Sequence, residues 1–85
     1  MSPSGVPLDA AALVEQARER LMIPSPPVAR AIRLAANVTQ GQVAEVVGVH
    51  VDTVRSWESG DHRPRGEAGA RYAALLRQLA EVTGA

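Results

Sequence analysis

The sequence predicts an all-α fold, a small bundle of about five helices that contains a helix-turn-helix. Apolar residues recur every three or four positions through most of the chain, which is the period of an amphipathic helix. No segment shows the alternation of apolar and polar residues that is typical of a half-buried strand. The apolar residues, 46% of the total, are mainly Ala, Val and Leu, with one Trp, one Tyr and no Phe. Side chains this small suit helices that approach each other closely.

Length and composition narrow the class of protein. With 85 residues, we expect a single helical domain over 9–85. The formal net charge is zero and all nine basic residues are Arg, which counts against a purely electrostatic nucleic-acid binder. The absence of Cys excludes disulfides, Cys-based zinc sites and thiol nucleophiles. We find no signal peptide and no apolar run of roughly 20 residues, and therefore expect a soluble, cytoplasmic protein that does not engage a membrane.

The N-terminal part is predicted to be a tail followed by an additional helix. Residues 1–8 are rich in Pro, Gly and Ser and are predicted to be a flexible tail. Asp9 is a suitable N-cap for a helix over about 9–22, which the prolines of 24–27 end. The apolar stripe of this helix consists of Ala10, Leu13, Val14, Ala17 and Leu21.

A second helix is predicted over about 26–36. Ser25 is a candidate cap, and Pro26 has the backbone geometry of a first helical turn. The helix should end near Asn37, since Asn tolerates the left-handed conformation. Its predicted buried stripe consists of Val28, Ala31, Ile32 and Ala35.

A third, short helix is predicted over about 40–47. Thr39 and Gln42 have the spacing of a capping box, in which each side chain bonds the backbone N–H of the other. Gly48 stands where the chain needs a left-handed residue to turn.

The fourth and fifth helices follow this turn. The fourth is predicted over about 51–59 and ends at Gly60, before a polar loop over 61–66. The helix-turn-helix core therefore spans about 26–65, and the C-terminal helix about 67–82. The buried face of the C-terminal helix is predicted to consist of Ala68, Tyr72, Leu75, Leu76, Leu79 and Val82.

The segment from Gln40 to Gly60 is the most informative part of the chain. Two helices that cross through a tight turn need a small residue at their contact, and Ala44 lies four residues before Gly48. On a helical wheel Val54 and Trp57 of the fourth helix point toward the core. The opposite face, which is small enough for a groove about 12 Å wide, carries Val51, Asp52, Arg55, Ser56 and Ser59.

This segment resembles the XRE family, the helix-turn-helix class of lambdoid phage repressors and Cro proteins. The family pattern is met by Gln40, Ala44, Gly48-Val49, Val54, Trp57-Glu58-Ser59-Gly60 and Pro64, with Arg33 seven residues before Gln40. The resemblance covers about 28–80. The chain departs from the family in having His50 where a Ser or Thr usually opens the fourth helix, and in having an additional helix in front.

The resemblance implies roles for individual residues. The implied base-reading residues are Val51, Asp52, Arg55 and Ser56, and the implied contacts to the DNA backbone are Gln40, His50, Arg63 and Arg65. The implied structural residues are Arg33 paired with Glu58, Trp57 as a core anchor, and Ala44 and Gly48 at the turn. Arg can bond guanine O6 and N7, Asp can accept from cytosine N4, Val can contact a thymine methyl, and Ser is ambiguous.

The resemblance implies a sequence-specific regulator of transcription, a phage or bacterial repressor or Cro-like protein. Its partner would be double-stranded DNA, bound at a palindromic operator as a homodimer, with the first or the fifth helix as the dimer surface. Two alternatives stay open. One is a DNA-binding antitoxin whose first helix or tail binds a small protein partner. The other is a protein-interaction adaptor that has lost DNA binding, which the zero net charge and Asp52 favour slightly.

Enzymatic activity and metal binding are not expected. The chain has no Gly-rich phosphate loop, no nucleophile–base motif and no clustered carboxylates. A bundle of this size also has little room for a substrate cleft. His50 and His62 are isolated from other residues at metal-ligand spacing, so we expect neither a metal nor a cofactor.

Overall fold

The computed structural model describes residues 10–14, 17–18 and 23–84. All regular secondary structure in these residues is helical, and no strand occurs among them, which confirms the predicted all-α class. Residues 10–14 and 17–18 belong to a first helix, α1. The others are α2 (Pro26–Ala35), α3 (Gln40–Val47), α4 (Val51–Ser59) and α5 (Gly66–Thr83). The predicted tail, the predicted cap Asp9 and Leu21 lie outside the described residues.

The two helices of the helix-turn-helix begin and end where local sequence signals place them. Thr39 Oγ1 accepts a hydrogen bond from the Gln42 backbone N–H at 3.0 Å, and Gln42 Oε1 accepts one from the Thr39 N–H at 2.9 Å. This is the predicted capping box. Gly48 ends α3 with φ 85° and Gly60 ends α4 with φ 86°, both in the left-handed region that glycine adopts without strain.

The N-cap residues of α4 and α2 differ in whether their side chains cap the helix. His50 replaces the family's Ser or Thr, yet its Nδ1 accepts a hydrogen bond from the Asp52 backbone N–H at 3.1 Å and so caps α4. Ser25 occupies the N-cap position of α2, but its side chain makes no capping hydrogen bond there. The start of α2 therefore depends on Pro26, whose fixed φ suits the first helical turn.

The core lies where α2, α3, α4 and α5 meet. Trp57 is buried as predicted, and its ring lies against that of Tyr72, with 4.6 Å between the ring centroids and 41° between the planes. Ala44 is also buried, as expected for the small residue where α3 crosses α4. The buried core cluster consists of Ala29, Val43, Ala44, Val47, Val54, Trp57, Tyr72 and Leu76.

The predicted buried stripe of α2 is wrong. Val28, Ala31 and Ala35 are exposed, and Ile32 is only partly buried. The helix instead buries Ala29 and Arg33. The periodicity favoured the most apolar side of the helix, whereas packing selects the side where small Ala29 allows close approach and where the charge of Arg33 is neutralised by another helix.

The predicted face of α5 is confirmed only in part. Tyr72 and Leu76 are buried and Val82 is exposed, whereas the other three predicted residues, Ala68, Leu75 and Leu79, are only partly buried. The helix also buries Gly69 and Ala73, which the prediction omits, so its buried side is turned toward these two small residues. A Cβ built at Gly69 would lie 2.9 Å from the backbone carbonyl carbon of Pro64, so α5 and the preceding loop approach more closely than any other residue would allow. No helix in the described part of the chain combines the length and apolar character needed to cross a membrane.

Candidate nucleic-acid interface

Helix α4 has one buried side and one exposed side. Val54 and Trp57 are buried in the core, as predicted. Asp52 and Arg55 are exposed, as the helical wheel predicts. The side chain of Arg55 donates from Nη1 to Asp52 Oδ1 at 2.5 Å, one turn away, so the two form a pair on the exposed side.

Two other candidate base-reading residues are less open to solvent. Val51 is only partly exposed and packs against the core cluster, because the first residue of α4 lies at the edge between the core and the exposed side. Ser56 is half-buried, and its Oγ lies 2.7 Å from Nδ1 of His62 in the following loop. This hydrogen bond, which the sequence did not predict, ties the loop to α4.

The basic residues of that loop are solvent-accessible. Arg63 and Arg65, two of the predicted contacts to the DNA backbone, are exposed between α4 and α5. Asp61 is exposed in the same loop and partly offsets their charge. His50, also a predicted backbone contact, is exposed at the start of α4, with Nδ1 3.5 Å from Asp52 Oδ2. The exposed side of α4 is therefore bordered by candidate backbone contacts at both ends.

A buried ion pair beneath α4 joins three helices. Arg33 Nε of α2 donates to Glu58 Oε2 of α4 at 2.6 Å, and Arg33 Nη2 donates to Glu58 Oε1 at 2.9 Å. The Arg33 and Glu58 side chains are only 9% and 4% exposed. Gln40 Nε2 of α3 donates to Glu58 Oε1 at 3.0 Å, and Arg33 Nη1 donates to the Val38 carbonyl at 2.9 Å. The Arg33–Glu58 pair implied by the family resemblance is thus present, and Gln40 joins it.

The electrostatics of this cluster favour the charged forms. Burial raises the pKa of the Glu58 carboxyl, but hydrogen bonds from Arg33 and Gln40, with the charges of Arg33 and Arg30, outweigh it, and the net pKa lies below its usual range. The hydrogen bond to Glu58 raises the pKa of Arg33. Burial raises the pKa of the nearby Tyr72 to about 12, and its hydroxyl has no hydrogen-bond partner among the described residues. The pair is therefore ionised at neutral pH.

The position of Gln40 changes how it can meet a phosphate. It is the first residue of α3, but its side-chain amide donates inward to Glu58. A phosphate at this helix end would therefore be met first by backbone N–H groups and the positive end of the helix dipole. The side chain contributes by holding α3 to α4.

Sequence reasoning missed Arg71. Its Nε donates to the Val47 carbonyl at 2.8 Å, and its Nη1 lies 3.6 Å from Glu67 Oε2. It therefore satisfies a carbonyl at the C-terminal end of α3, where a positive charge is favourable. Arg71 is 24 residues from its partner, so no local pattern indicates the contact. Within the described residues, no three His, Asp or Glu side chains gather as metal ligands would.

The fold and this surface define a helix-turn-helix DNA-binding domain. A family model described as Helix-turn-helix matches residues 30–82, more than half of the chain. The chain belongs to the XRE family of helix-turn-helix proteins, and it is a DNA-binding regulator of that class. Comparison with curated proteins and with solved structures gives no match.

Proposed function

We propose that this chain is a sequence-specific regulator of transcription, of the repressor or Cro type, that binds a palindromic operator as a homodimer. The observation that supports it most is the orientation of α4, with Trp57 buried beneath and Asp52 and Arg55 exposed above. With nine residues α4 is about 13 Å long, and an α-helix with its side chains is about 10–12 Å across, which fits a major groove about 12 Å wide.

Base reading is proposed for the exposed side of α4. Arg55 would donate hydrogen bonds to O6 and N7 of guanine, and Asp52 would accept one from N4 of cytosine. Ser56 could act as a donor or as an acceptor to a base edge. Val51, at the edge of the core, would contact a thymine methyl. The Asp52–Arg55 pair is exposed, and exposed pairs contribute about 1 kcal/mol or less, so DNA can replace it at little cost.

Backbone positioning is proposed for the residues that border α4. Arg63 and Arg65 would contact phosphates on one side, and His50 and the N-terminus of α3 at Gln40 on the other. In a twofold dimer the two α4 helices would lie about 34 Å apart, so the half-sites should be about one turn of DNA apart. A protein with this function needs no catalytic step and no cofactor. It would act in the cytoplasm, where the DNA is.

Two alternatives have some support. The acidic side chains of Asp52 and Asp61, exposed on and beside α4, favour an adaptor that no longer binds DNA. The exposed apolar residues Leu13 and Val14 of α1 favour an antitoxin that binds a second small protein.

Selection of bound DNA from a random pool, followed by sequencing, tests the proposal. We expect a twofold-symmetric site with half-sites about one turn apart. Fluorescence anisotropy on that site should then show that Arg55→Ala loses discrimination at one base pair, by about 5- to 150-fold. Ser56→Ala should have a similar, smaller effect. Arg63→Ala should weaken binding to all sequences alike.

The matched control is Arg77→Ala, which removes an exposed arginine from α5, a helix that carries none of the proposed DNA contacts. It should leave affinity and discrimination unchanged. A pool without enrichment, or weak binding that is indifferent to Arg55 and Ser56, contradicts the proposal and favours the adaptor. Co-purification of a small partner protein that covers α1 favours the antitoxin.

A further inference from the structure

The loop that follows α4 returns to Ser56 with both its backbone and a side chain. The Ser56 carbonyl accepts a hydrogen bond from the Asp61 N–H at 3.0 Å and another from the His62 N–H at 3.4 Å. The Oγ of the same serine lies 2.7 Å from Nδ1 of His62. His62 is therefore held at two points beside a residue for which base reading is proposed.

The hydroxyl of Ser56 differs from other hydroxyls of this fold in its hydrogen-bond partner. Ser and Thr hydroxyls within helices commonly donate to a carbonyl three or four residues earlier. Ser59 does so to the Ser56 carbonyl at 3.1 Å, and Thr83 to the Leu79 carbonyl at 3.0 Å. Among the described residues, the partner of Ser56 Oγ is instead Nδ1 of His62. The proton of this hydroxyl is thus directed to the imidazole and not to its own helix.

We propose that His62 is a specificity-determining residue, because its Nδ1 accepts the Ser56 proton and leaves Ser56 Oγ as an acceptor toward DNA. A hydroxyl has one proton, so a hydroxyl that donates to one partner has only lone pairs for the next. A neutral imidazole that carries its proton on Nε2 presents Nδ1 as an acceptor. The inference rests on the proposed function, since it assigns a base preference to one of the proposed base-reading residues.

An acceptor on α4 distinguishes the four bases by their amino groups. In the major groove cytosine presents the N4 amino group and adenine the N6 amino group, whereas guanine presents O6 and thymine O4, which are acceptors. Ser56 should therefore select cytosine or adenine over guanine or thymine at the base that it contacts. One neutral hydrogen bond corresponds to a preference of about 2- to 12-fold in each half-site.

The surroundings of the pair suit a role in DNA binding. His62 is exposed and Ser56 is only half-buried, so the pair lies at the surface. Arg55, with its proposed guanine contact, precedes Ser56, and Arg63, with its proposed phosphate contact, follows His62. A phosphate bound by Arg63 would hold the loop in the position in which His62 meets Ser56. Base reading by Ser56 and backbone binding by the loop would thus support each other.

Nitrogen-15 NMR of the imidazole rings tests the tautomer without DNA. At pH 8, where histidine is ordinarily neutral, we expect His62 to carry its proton on Nε2 and to leave Nδ1 unprotonated. His50 is the internal comparison and should show the same tautomer, because its Nδ1 accepts from the Asp52 N–H. The variant His62→Asn assigns the signals by removing one ring. A proton on Nδ1 of His62 at this pH would overturn the inference.

Fluorescence anisotropy on the selected operator at pH 8 tests the base preference. The base contacted by Ser56 is the one at which Ser56→Ala removes discrimination. The wild type should prefer cytosine or adenine there, and His62→Ala should reduce the preference to about twofold or less, because the hydroxyl can then donate as well as accept. His62→Asn should retain more of it, since Oδ1 of Asn is an acceptor at the same number of bonds from the backbone as Nδ1 of His.

Two controls separate this role from a merely loosened loop. Discrimination at the base pair read by Arg55 should be the same in His62→Ala as in the wild type. In a Ser56→Ala background, His62→Ala should cause no further change in discrimination, because the two residues act as one unit. A purely structural role would weaken binding to all sequences alike in both backgrounds. Circular dichroism should show that the variants remain helical, since His62 is exposed in a loop.

Two results with DNA would overturn the inference: a wild-type preference for guanine or thymine at this position, or a preference for cytosine or adenine that His62→Ala leaves intact. An operator whose reading is indifferent to Ser56→Ala would also overturn it, while leaving the regulator in place. A random pool without enrichment contradicts the proposed function itself, and the tautomer of His62 is measured independently of that result.

Discussion

At the scale of single residues, the buried cluster of Arg33, Glu58 and Gln40 determines how α4 is held. Replacing a buried ion pair by apolar residues is often neutral or stabilising, whereas removing one partner is costly. The cluster therefore contributes mainly to the orientation of α4 rather than to net stability. Glu58 of α4 accepts hydrogen bonds from Arg33 of α2 and from Gln40 of α3. These bonds restrain the rotation of α4 and therefore the side on which its exposed residues face outward.

Glu58→Gln is expected to lower the free energy of unfolding by about 3–5 kcal/mol at neutral pH, because it leaves the charge of Arg33 buried and unpaired. The loss should depend on pH. The folded-state pKa of Glu58 is below the ordinary value of 4.5, so its ionised form stabilises the protein fully above that value. As the pH falls through the folded pKa, that contribution is lost.

Urea denaturation at several pH values measures how the stability lost in Glu58→Gln depends on pH. The difference between the wild type and Glu58→Gln should be constant near neutrality and should shrink on acidification below about pH 4.5. The matched control is Glu45→Gln, which changes an exposed carboxyl of α3 and should cost little at any pH. A difference that stays the same down to strongly acidic pH would show that Glu58 is not the titrating group.

At the scale of elements, the turn between α3 and α4 is stabilised by hydrogen bonds from its own backbone and from α5. The Ala44 carbonyl accepts from the Gly48 N–H at 2.8 Å and from the Val49 N–H at 3.0 Å. Arg71 of α5 bonds the Val47 carbonyl beside them. The orphan carbonyls of a helix end are thus satisfied partly by the turn and partly by a distant helix.

The sequence predicts the bounds of α3 and α4 correctly because their signals are local: a capping box at Thr39 and left-handed glycines at Gly48 and Gly60. The buried side of α2 is not predictable in this way. It depends on which helices lie against Ala29 and on whether a partner neutralises Arg33, and neither is encoded within α2 itself.

Gly69→Ala is expected to destabilise the protein by about 1–3 kcal/mol, although Ala is the better helix former by about 1 kcal/mol. The new Cβ would lie 2.9 Å from the backbone of Pro64, which cannot yield as the end of a flexible side chain can. Thermal denaturation should show a lower Tm. The loop of Pro64 also carries Arg63 and Arg65, so affinity for DNA should fall as well.

The matched control is Gly41→Ala in α3. A Cβ there would meet only Thr39 Oγ1 at 3.8 Å, an ordinary contact, so Ala should raise the free energy of unfolding by up to about 1 kcal/mol. If both substitutions stabilise the protein equally, the close approach of α5 to the loop does not constrain position 69.

At the scale of the whole molecule, DNA binding has to be achieved without an excess of positive charge. The net charge is zero, and Asp52 and Asp61 are exposed on and beside α4. The helical wheel predicts the exposed side of α4 because burial of Val54 and Trp57 determines its rotation. It does not predict how far Val51 is covered or that Ser56 bonds His62, because both depend on neighbouring segments.

This charge balance predicts a shallow dependence of DNA affinity on salt. Each phosphate neutralised by a basic side chain contributes about −0.9 to the slope of log K against log salt concentration. Arg63 and Arg65 would thus give a slope of about −2 per half-site. Anisotropy titrations at several salt concentrations should show Arg63→Ala reducing its magnitude by about 0.9 per subunit, with Arg77→Ala as the unchanged control. A slope near −10, or one that Arg63→Ala leaves unaltered, would mean that phosphates are bound elsewhere on the molecule.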